Sequence, residues 1–503
     1  MFHIYDETKT LREDAHAVEQ KMSPCGDRRQ AHFSIPSGMR VAGSRSPLAG
    51  FALAKERQAA DIRPGSGCTI KNILSSKRED IMKKKVAALL AMTMITAALG
   101  ACGGSSAQTT TAAASAAAGS TAAAESNAET KAEAKSDVKV GFICLHDENS
   151  TYDLNFINAA KAACEKLGVA YEIKTNIPEG QECYNAAAEL ADSGCSIVFA
   201  DSFGHEDYMI EAAKEFPEVQ FCHATGTKAH TENVENYHNA FASIYEGRYL
   251  AGVAAGKKLE QMIADGKITE DQAKIGYVGA FTYAEVISGY TSFFLGARSV
   301  VPSATMDVTF TGSWYDETAE KEGATKLIND GCVLISQHAD SMGAPPACEI
   351  AGVPDVSYNG STLDACPNTY IVSSRIDWTP FYEHAIKAVM EGSKIEADWT
   401  GTLKTGSVLL TDLNTKVAAD GTQEAIDEAA KKLESGELHV FDVTKFTVDG
   451  KQLDSYMADV DTDPEFKGDT EVIADGYFHE SEYRSAPYFD LKIDGIKLLD
   501  TAQ

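Results

Sequence analysis

The residues Val138-Lys-Val-Gly-Phe-Ile-Cys144 form an apolar run with the length of a buried strand, and Leu154–Leu167 follow with apolar residues at helical spacing. The same unit then recurs as strand Tyr171–Lys174, helix Gln181–Asp192, strand Cys195–Ala200, helix His205–Phe216 and strand Val219–Ala224. This alternation predicts an α/β fold in which helices cover both faces of a parallel sheet.

A second run of the same unit begins after a long predicted helix, Ala242–Ile263. Its members are Lys274–Val278, Val286–Val300, Ala304–Thr311, Glu317–Asp330, Val333–Ser336 and Pro345–Ala351. Two similar runs separated by a helix indicate two lobes, at about 138–245 and 270–370. Beyond them we expect strand Val372–Arg375, helix Phe381–Met390 and a strand-rich extension with turns at Asp449-Gly450 and Asp494-Gly495.

The charge of the chain is acidic and unevenly placed. The 503 residues carry a formal net charge of −29. Residues 1–101 hold 16 Lys+Arg and 10 Asp+Glu, whereas residues 102–503 hold 29 and 64. A body this acidic repels nucleic-acid phosphates and gains little from releasing their counterions, so nucleic-acid binding is excluded.

A predicted secretion leader spans residues 82–101. Met82 and three lysines precede an apolar run, Val86–Leu99, which is too short for a comfortable membrane span. Leu99-Gly100-Ala101-Cys102 resembles the bacterial lipobox, so we expect Cys102 to be lipidated and to become the mature N-terminus. The alternative, a core helix of an N-terminal domain, leaves the lysines and the low-complexity sequence after Cys102 unexplained.

The segments on either side of this leader lack a core-forming pattern. Residues 1–81 show no sustained periodicity, and we interpret them as disordered and as an artefact of a misplaced gene start. Residues 102–137 comprise the lipidated cysteine and a flexible Ala/Ser/Thr-rich tether with a reach of roughly 30 Å. The sequence therefore predicts a globular domain, 138–503, held by a lipid on the outer face of a cell membrane.

Aromatic and polar residues follow the predicted strands at their carboxyl ends, where open α/β sheets bind ligands. These segments are 146–153, 201–205 and 223–226 in the first lobe, 279–285, 313–316 and 337–340 in the second, and then 358–361 and 375–378. Rings stack on a flat ligand while carboxylates and amides bind its edge, so the pattern predicts a neutral heteroaromatic ligand. Single members have alternatives: Asp153 and Asp316 are suitable helix N-caps, and Tyr283 and Trp378 could pack at strand ends.

Motifs of catalysis and metal binding are missing from the sequence. It contains no GxxxxGK[ST], HExxH or GxSxG, neither Gly226 nor Gly279 lies in a GxGxxG, and the histidine spacings fit no metal motif. We therefore predict no enzyme activity, no cofactor and no metal. The eight cysteines from Cys144 to Cys366 form no CxxC pair, and we expect buried thiols.

Several motifs in one order resemble the basic membrane protein family, the substrate-binding lipoproteins of ABC importers that are related to purine nucleoside receptors. The motifs are Phe203-Gly204, Phe216–Gly226, Tyr245–Gly252, Lys274–Gly279, Phe281 with Glu285, Phe294–Ala297 and Ser313-Trp314-Tyr315-Asp316. The resemblance covers about Val138–Met390.

This resemblance implies a type I periplasmic-binding-protein fold, with two Rossmann-like lobes that close about a hinge on a purine base or purine nucleoside, and an ABC permease as partner. Carried over, the substrate-binding residues are Tyr152, Asp153, Phe203, Phe281, Glu285, Trp314, Asp340 and Trp378. Asn359 stands where the family often has an aspartate pair, and Arg375 lies near the usual position of a lysine, so we include both. Two other functions stay open, a ligand-presenting receptor for a membrane sensor and a secreted nucleoside-processing enzyme.

Overall fold

The computed structural model describes residues 129–131, 137–460 and 467–502. The predicted leader 82–101, Cys102 and segment 1–81 lie outside the described residues, as does most of the predicted tether. Among the described helices, none is long and apolar enough to cross a lipid bilayer.

The described elements alternate between strands and helices over most of the domain. The strands are β1 Glu129–Lys131, β2 Lys139–Ile143, β3 Ala170–Lys174, β4 Ile197–Ala200, β5 Gln220–Ala224, β6 Tyr237–Ala242, β7 Lys274–Gly279, β8 Thr305–Phe310, β9 Leu334–Gln337, β10 Asp355–Tyr358, β11 Tyr370–Ile376, β12 Asp398–Gly401, β13 Val408–Leu410, β14 Met457–Ala458, β15 Thr470–Glu471, β16 Ile473–Ala474, β17 Tyr477–Phe478 and β18 Ile496–Leu498. The helices are α1 Thr151–Leu167, α2 Gln181–Asp192, α3 Glu206–Glu215, α4 Ala229–Glu232, α5 Ile244–Ala264, α6 Ala284–Val300, α7 Glu317–Asn329, α8 Ala344–Ala351, α9 Thr379–Glu391 and α10 Thr422–Ser435, with 3₁₀ turns at Phe203–His205 and Glu270–Gln272.

Two seven-stranded sheets form the two lobes. Their strand orders are β1-β3-β2-β4-β5-β6-β12 and β13-β11-β10-β9-β7-β8-β18. The central strands pair in parallel in the same order in both sheets, while β1 and β13 add antiparallel edges. Parallel strands covered on both faces are apolar along their length, and β4, with all four residues buried, is typical. The prediction of an α/β, type I periplasmic-binding-protein fold is confirmed.

The chain crosses between the lobes three times, after β6, after β11 and between β12 and β13. The crossings are tied to one another in pairs. The Ser243 N–H donates to the Gly401 carbonyl at 2.8 Å, and the Asp377 N–H donates to the Ser407 carbonyl at 2.8 Å. Short paired crossings of this kind act as a hinge, because a few backbone torsions can absorb a rotation of one lobe against the other.

Helices α5 and α6 pack at backbone contact in the second lobe. A Cβ atom on Gly252 would lie 2.0 Å from the Phe293 carbonyl oxygen, and one on Gly296 would lie 2.1 Å from the Tyr249 carbonyl oxygen. Only glycine permits this approach. The contact fixes α5, which follows the first crossing, against α6.

Strand β6 was not predicted from the sequence, because its Tyr-His-Asn-Ala-Phe-Ala composition is mixed. All six residues are buried. The polar members are satisfied by neighbours: the His238 ring bonds the Gln220 side chain and the Glu396 carbonyl, both at 2.9 Å. Internal hydrogen bonds therefore allow a polar sequence to occupy a central strand.

The extension after β13 combines short strands with a helix that was not predicted from the sequence. The region after β13 contains the 14-residue helix α10, and its strands are two or three residues long. Ile426 and Leu433, seven residues apart, turn the apolar face of α10 towards the core of the second lobe. Asp449 and Gly450 do form the predicted turn, both with positive φ.

The eight cysteines from Cys144 to Cys366 are all buried and free. The prediction of buried thiols is confirmed.

Candidate ligand site between the lobes

A cavity lies where the carboxyl ends of both sheets face each other. Its lining residues are Leu145, His146, Tyr152, Asp153, Ser202, Phe203, Thr225, Glu285, Trp314, His338, Asp340 and Tyr358. The lining combines aromatic rings with a few polar groups, as small-molecule sites do. Six of the ten residues predicted from the sequence line it.

The first-lobe wall is built by the start of α1. Ser150 caps this helix, because its hydroxyl accepts from the Asp153 N–H at 3.2 Å. Tyr152 is fixed by its hydroxyl, which donates to the Asp201 carbonyl at 2.8 Å. Asp153 is therefore in the first turn rather than at the N-cap, and its side chain is free to face His146 and the cavity.

The second-lobe wall is formed by three aromatic residues, Phe281, Tyr283 and Trp314, called the aromatic group below. The Phe281 and Tyr283 rings stack at 5.1 Å, and the Trp314 indole lies 5.0 Å from Phe281 and 6.1 Å from Tyr283 between ring centroids. Trp314 is the member that lines the cavity. Phe281 lies behind it, so its contribution is to hold the indole plane.

Two acidic residues of this lobe face the cavity. Glu285 approaches the His338 ring at 3.4 Å, and the amide of Asn359 donates to Asp340 at 3.1 Å. Asn359 thus reaches the cavity only through Asp340.

Trp378 and Arg375 do not line the cavity. Trp378 is 2% exposed and stacks on Phe156 at 4.4 Å in the first-lobe core, so its place in the predicted site is corrected to a core position. It directly precedes α9, whose apolar face packs into that lobe. Arg375 is half-buried on β11 and its guanidinium lies 3.7 Å from Asp377, so it too is displaced from the predicted site.

Six lining residues were not selected as site residues from the sequence: Leu145, His146, Ser202, Thr225, His338 and Tyr358. All but Leu145 lie in the strand-end segments that were predicted to face a ligand. All follow or end a parallel strand, and Thr225 has a positive φ of 68° directly after β5. Strand-end position thus identified the segments of five of them, but it did not indicate which side chain of each segment faces the cavity.

Arg248 supports the floor of the cavity from α5. It is fully buried, its guanidinium lies 4.0 Å from the Tyr358 ring, and it donates to the Gln337 carbonyl at 3.0 Å. Burial lowers the pKa of Arg248 to about 10, which leaves it charged at neutral pH. The cation fixes Tyr358 and the end of β9 relative to the crossover helix.

Two buried carboxyl groups of the first lobe have pKa values that are shifted in opposite directions. Burial alone would raise the pKa of Asp153, but hydrogen bonds from His146 and Ser150 outweigh it and hold the pKa below its ordinary value. The His146 N–H donates to Asp153 at 2.8 Å. Burial, followed by the charge of Asp153, raises the pKa of Asp201 well above its ordinary range. The two shifts therefore run in opposite directions, towards the anion at Asp153 and towards the neutral acid at Asp201.

Cys144, Asp153 and Asp201 place one possible metal-binding atom each within 4.8 Å of one another. Burial raises the pKa of the Cys144 thiol well above its ordinary value, as it does that of Asp201. A metal must displace such protons, so the group is better suited to sharing a proton than to holding an ion.

Burial favours the protonated form of Asp340. Burial raises its pKa well above the ordinary range, and the charges of Asp153, Glu320 and Glu285 act in the same direction. A carboxylic acid donates a hydrogen bond, whereas the carboxylate of Asp153 accepts one. The cavity thus offers a donor on one wall and an acceptor on the other.

The lobes contact each other around the cavity. The Thr151 N–H donates to the Asp340 carbonyl at 3.3 Å and the Asn155 amide to the Asn359 carbonyl at 3.1 Å. The Phe203 ring lies 5.6 Å from Tyr283 across the gap. These contacts exist only when the lobes are together, so the structure represents a closed arrangement.

Glu320 joins two cavity loops and makes stability depend on pH. Its carboxylate accepts from the Ser341 and Asp316 N–H groups, both at 3.2 Å, and burial raises its pKa to about 7 from 4.5. A raised acid pKa means that the folded state binds the proton more tightly, so stability falls as pH rises from about 4.5 through 7.

The wild-type protein should lose free energy of unfolding as the pH rises from 5 to 7. We expect Glu320→Gln to lose about 1–2 kcal/mol less over the same range, because the amide stays neutral. Urea unfolding at both pH values measures the difference. Glu317→Gln, on an exposed position in the same helical turn, is the control and should keep the wild-type slope. An unchanged slope in Glu320→Gln would show that Glu320 is ionised in the folded protein.

Comparison with known proteins assigns this chain to a family. Residues 142–440 match the family model Bmp, described as ABC transporter substrate-binding protein, PnrA-like. The chain belongs to the Bmp family. Its members are substrate-binding proteins of ABC transporters rather than enzymes, and they work on the extracytoplasmic side of the membrane.

Relatives of this Bmp-family protein include a purine-binding protein of Brucella abortus, 33% identical over 316 residues, which cover 62% of this chain and 85% of that protein. A putative ABC transporter glucose-binding protein of Haloferax volcanii is 35% identical over 243 residues, 48% of this chain and 57% of that protein. A solved solute-binding protein of Conexibacter woesei has a TM-score of 0.51 at 21% identity, covering 60% of this chain and 98% of that one, which shows the shared fold.

Proposed function

We propose that this Bmp-family protein captures a purine base or purine nucleoside between its lobes and delivers it to an ABC permease. The observation that carries the proposal is the Trp314 indole, held by Phe281 and facing a cavity that Asp153, Asp340 and Glu285 also line. An indole stacks on a planar ring, and carboxyl groups bind its edge.

The opposite pKa shifts of Asp153 and Asp340 support a purine. A purine edge presents both ring-nitrogen acceptors and amino or N–H donors. Asp153, whose pKa is shifted towards the anion, can accept from a donor, and Asp340, whose pKa is shifted towards the neutral acid, can donate to an acceptor. A phosphorylated ligand fits less well, because the residues that line the cavity include neither lysine nor arginine.

Closure supports delivery to a permease. Contacts such as that of Thr151 with Asp340 form only between closed lobes, so a ligand that touches both walls shifts the population towards this form. A permease that recognises the closed surface would then accept loaded protein in preference to empty protein.

Calorimetric titration of the domain 138–503 with adenine, guanine, adenosine, inosine, glucose and an amino acid tests the ligand class. We expect heat with at least one purine compound and none with the amino acid. Glucose is the second candidate ligand, because the Haloferax relative is named a putative glucose-binding protein. Heat with glucose alone, or with none of the purines, would contradict the proposal.

The lipid anchor at Cys102 is also a proposal, supported by the lipobox-like sequence Leu99-Gly100-Ala101-Cys102. Mass spectrometry of protein from the membrane fraction should show a mature chain that begins with diacylglyceryl-Cys102. Cys102→Ser should then accumulate as uncut precursor, and identical processing of both forms would contradict the anchor.

A further inference from the structure

The segment from Ile496 to Ala502 lies along the second-lobe sheet, outside the family match that ends at residue 440. Its strand β18 pairs in parallel with β8, with Ile496 opposite Met306 and Leu498 opposite Val308. The Leu499 N–H continues the ladder by donating to the Val308 carbonyl at 2.8 Å. The segment thus follows β8 towards the edge of the sheet that bears the ligand cavity.

Asp500 caps the end of β8. Its carboxylate accepts from the Phe310 N–H at 2.7 Å and from the Thr309 hydroxyl at 2.5 Å. The chain that leaves β8 at Phe310 reaches Trp314 four residues later. Asp500 therefore fixes the starting point of the loop that carries the indole.

Ala502 binds the loop that carries the other rings of the aromatic group. The Thr282 N–H donates to the Ala502 carbonyl at 2.8 Å, and the Ala502 N–H donates to the Thr282 hydroxyl at 3.0 Å. Thr282 lies between Phe281 and Tyr283, so this two-bond contact sets the direction of both rings.

The two loops are also linked to each other, which makes the segment a shared support. The Thr311 and Gly312 N–H groups donate to the Gly279 and Ala280 carbonyls at 3.0 and 2.9 Å. Phe281, Tyr283 and Trp314 are only half-buried, so packing alone holds them weakly.

We propose that residues 496–502 are a positioning element of the ligand site, with Asp500 and Ala502 holding the two aromatic loops so that the Trp314 face is formed before ligand arrives. A preformed face avoids the entropy cost of ordering these loops on binding. The consequence for affinity rests on the proposed purine function, whereas the consequence for loop order does not.

Hydrogen exchange of the ligand-free protein tests the support directly, because the Thr282 and Phe310 amides are themselves donors to the segment. Asp500→Ala should speed exchange in peptides covering 281–283 and 310–314 by about tenfold or more and leave α1 unchanged. Asp500→Asn should stay near wild type, because the amide oxygen still accepts from Phe310 and its NH₂ group can donate to Thr309.

Asp494→Ala is the matched control. Asp494 also caps backbone in the same extension, by accepting from the Gly450 N–H at 2.8 Å, but it does not contact the aromatic loops. We expect it to change neither loop exchange nor affinity. Loop exchange in Asp500→Ala equal to that in Asp494→Ala would overturn the proposal.

Titration with the tightest purine from the panel supplies the second readout. Asp500→Ala should weaken binding about five- to twentyfold, and Asp500→Asn should restore it.

If Asp500→Ala fails to fold, Thr282→Val takes its place. This variant removes the hydroxyl acceptor at nearly constant volume and should speed loop exchange. Wild-type protein that binds no purine would refute the proposed function, while the exchange result would still decide the role of the segment.

Discussion

Trp378→Ala should lower the free energy of unfolding by about 3–5 kcal/mol, the largest effect that we expect from a single substitution. The indole is 2% exposed, stacks on Phe156 and lies 6.1 Å from Phe241. Its removal leaves a large cavity in the first-lobe core, and urea unfolding monitored by circular dichroism measures the loss.

Trp378→Phe is the control for this substitution and should lose less, because a ring still stacks on Phe156. In both variants, purine affinity is measured under conditions in which the protein is fully folded. It should stay within about threefold of wild type, since Trp378 does not line the cavity. A folded Trp378→Ala protein with normal stability and no purine binding would return Trp378 to the site.

Trp314→Ala should weaken purine binding by about 1–3 kcal/mol, which is about five- to 150-fold, because it removes the ring on which the base stacks. The side chain is half-buried at the cavity wall, so its effect on unfolding should be smaller than that of Trp378. Calorimetric titration and urea unfolding of the same preparation separate the two effects.

Trp314→Phe keeps a ring against Phe281 and should recover much of the affinity. Equal affinities of wild type and a folded Trp314→Ala protein would remove the indole from the site. The paired results for Trp314 and Trp378 distinguish an aromatic residue that binds from one that packs.

The fold could be predicted from the sequence because the apolar residues of most strands and helices repeat at the spacing of that element. The helix Gln181–Asp192 was predicted with the observed bounds, since Gly180 precedes it and its apolar residues repeat at helical spacing. Strand β6 was missed, because hydrogen bonds to distant partners such as Gln220 decide whether His238 can be buried. No local pattern contains that information.

The site was predictable to the extent that strand ends converge. Asp153 follows a strand of the first-lobe sheet, and Trp314 and Asp340 follow strands of the second-lobe sheet. They meet because the carboxyl ends of both sheets face one cavity. Trp378 also follows a strand, β11, but the chain there crosses to the other lobe and carries the indole into its core. The direction of a side chain at a crossover depends on tertiary packing, which a single sequence does not show.

The contribution of residues 496–502 could not be predicted for a related reason. Asp500 lies 190 residues after Phe310, and Ala502 lies 220 residues after Thr282. Only the pairing of β18 with β8 brings these residues together. Long-range pairing of an edge strand leaves little trace in composition.

A crystal structure of the protein with its tightest-binding purine tests the central claim most directly. We expect the base to lie stacked on the Trp314 indole, with its edge within hydrogen-bonding distance of Asp153 and Asp340 and the lobes closed around it. A purine bound outside this cavity, or inside it with no contact to the indole, would contradict the account.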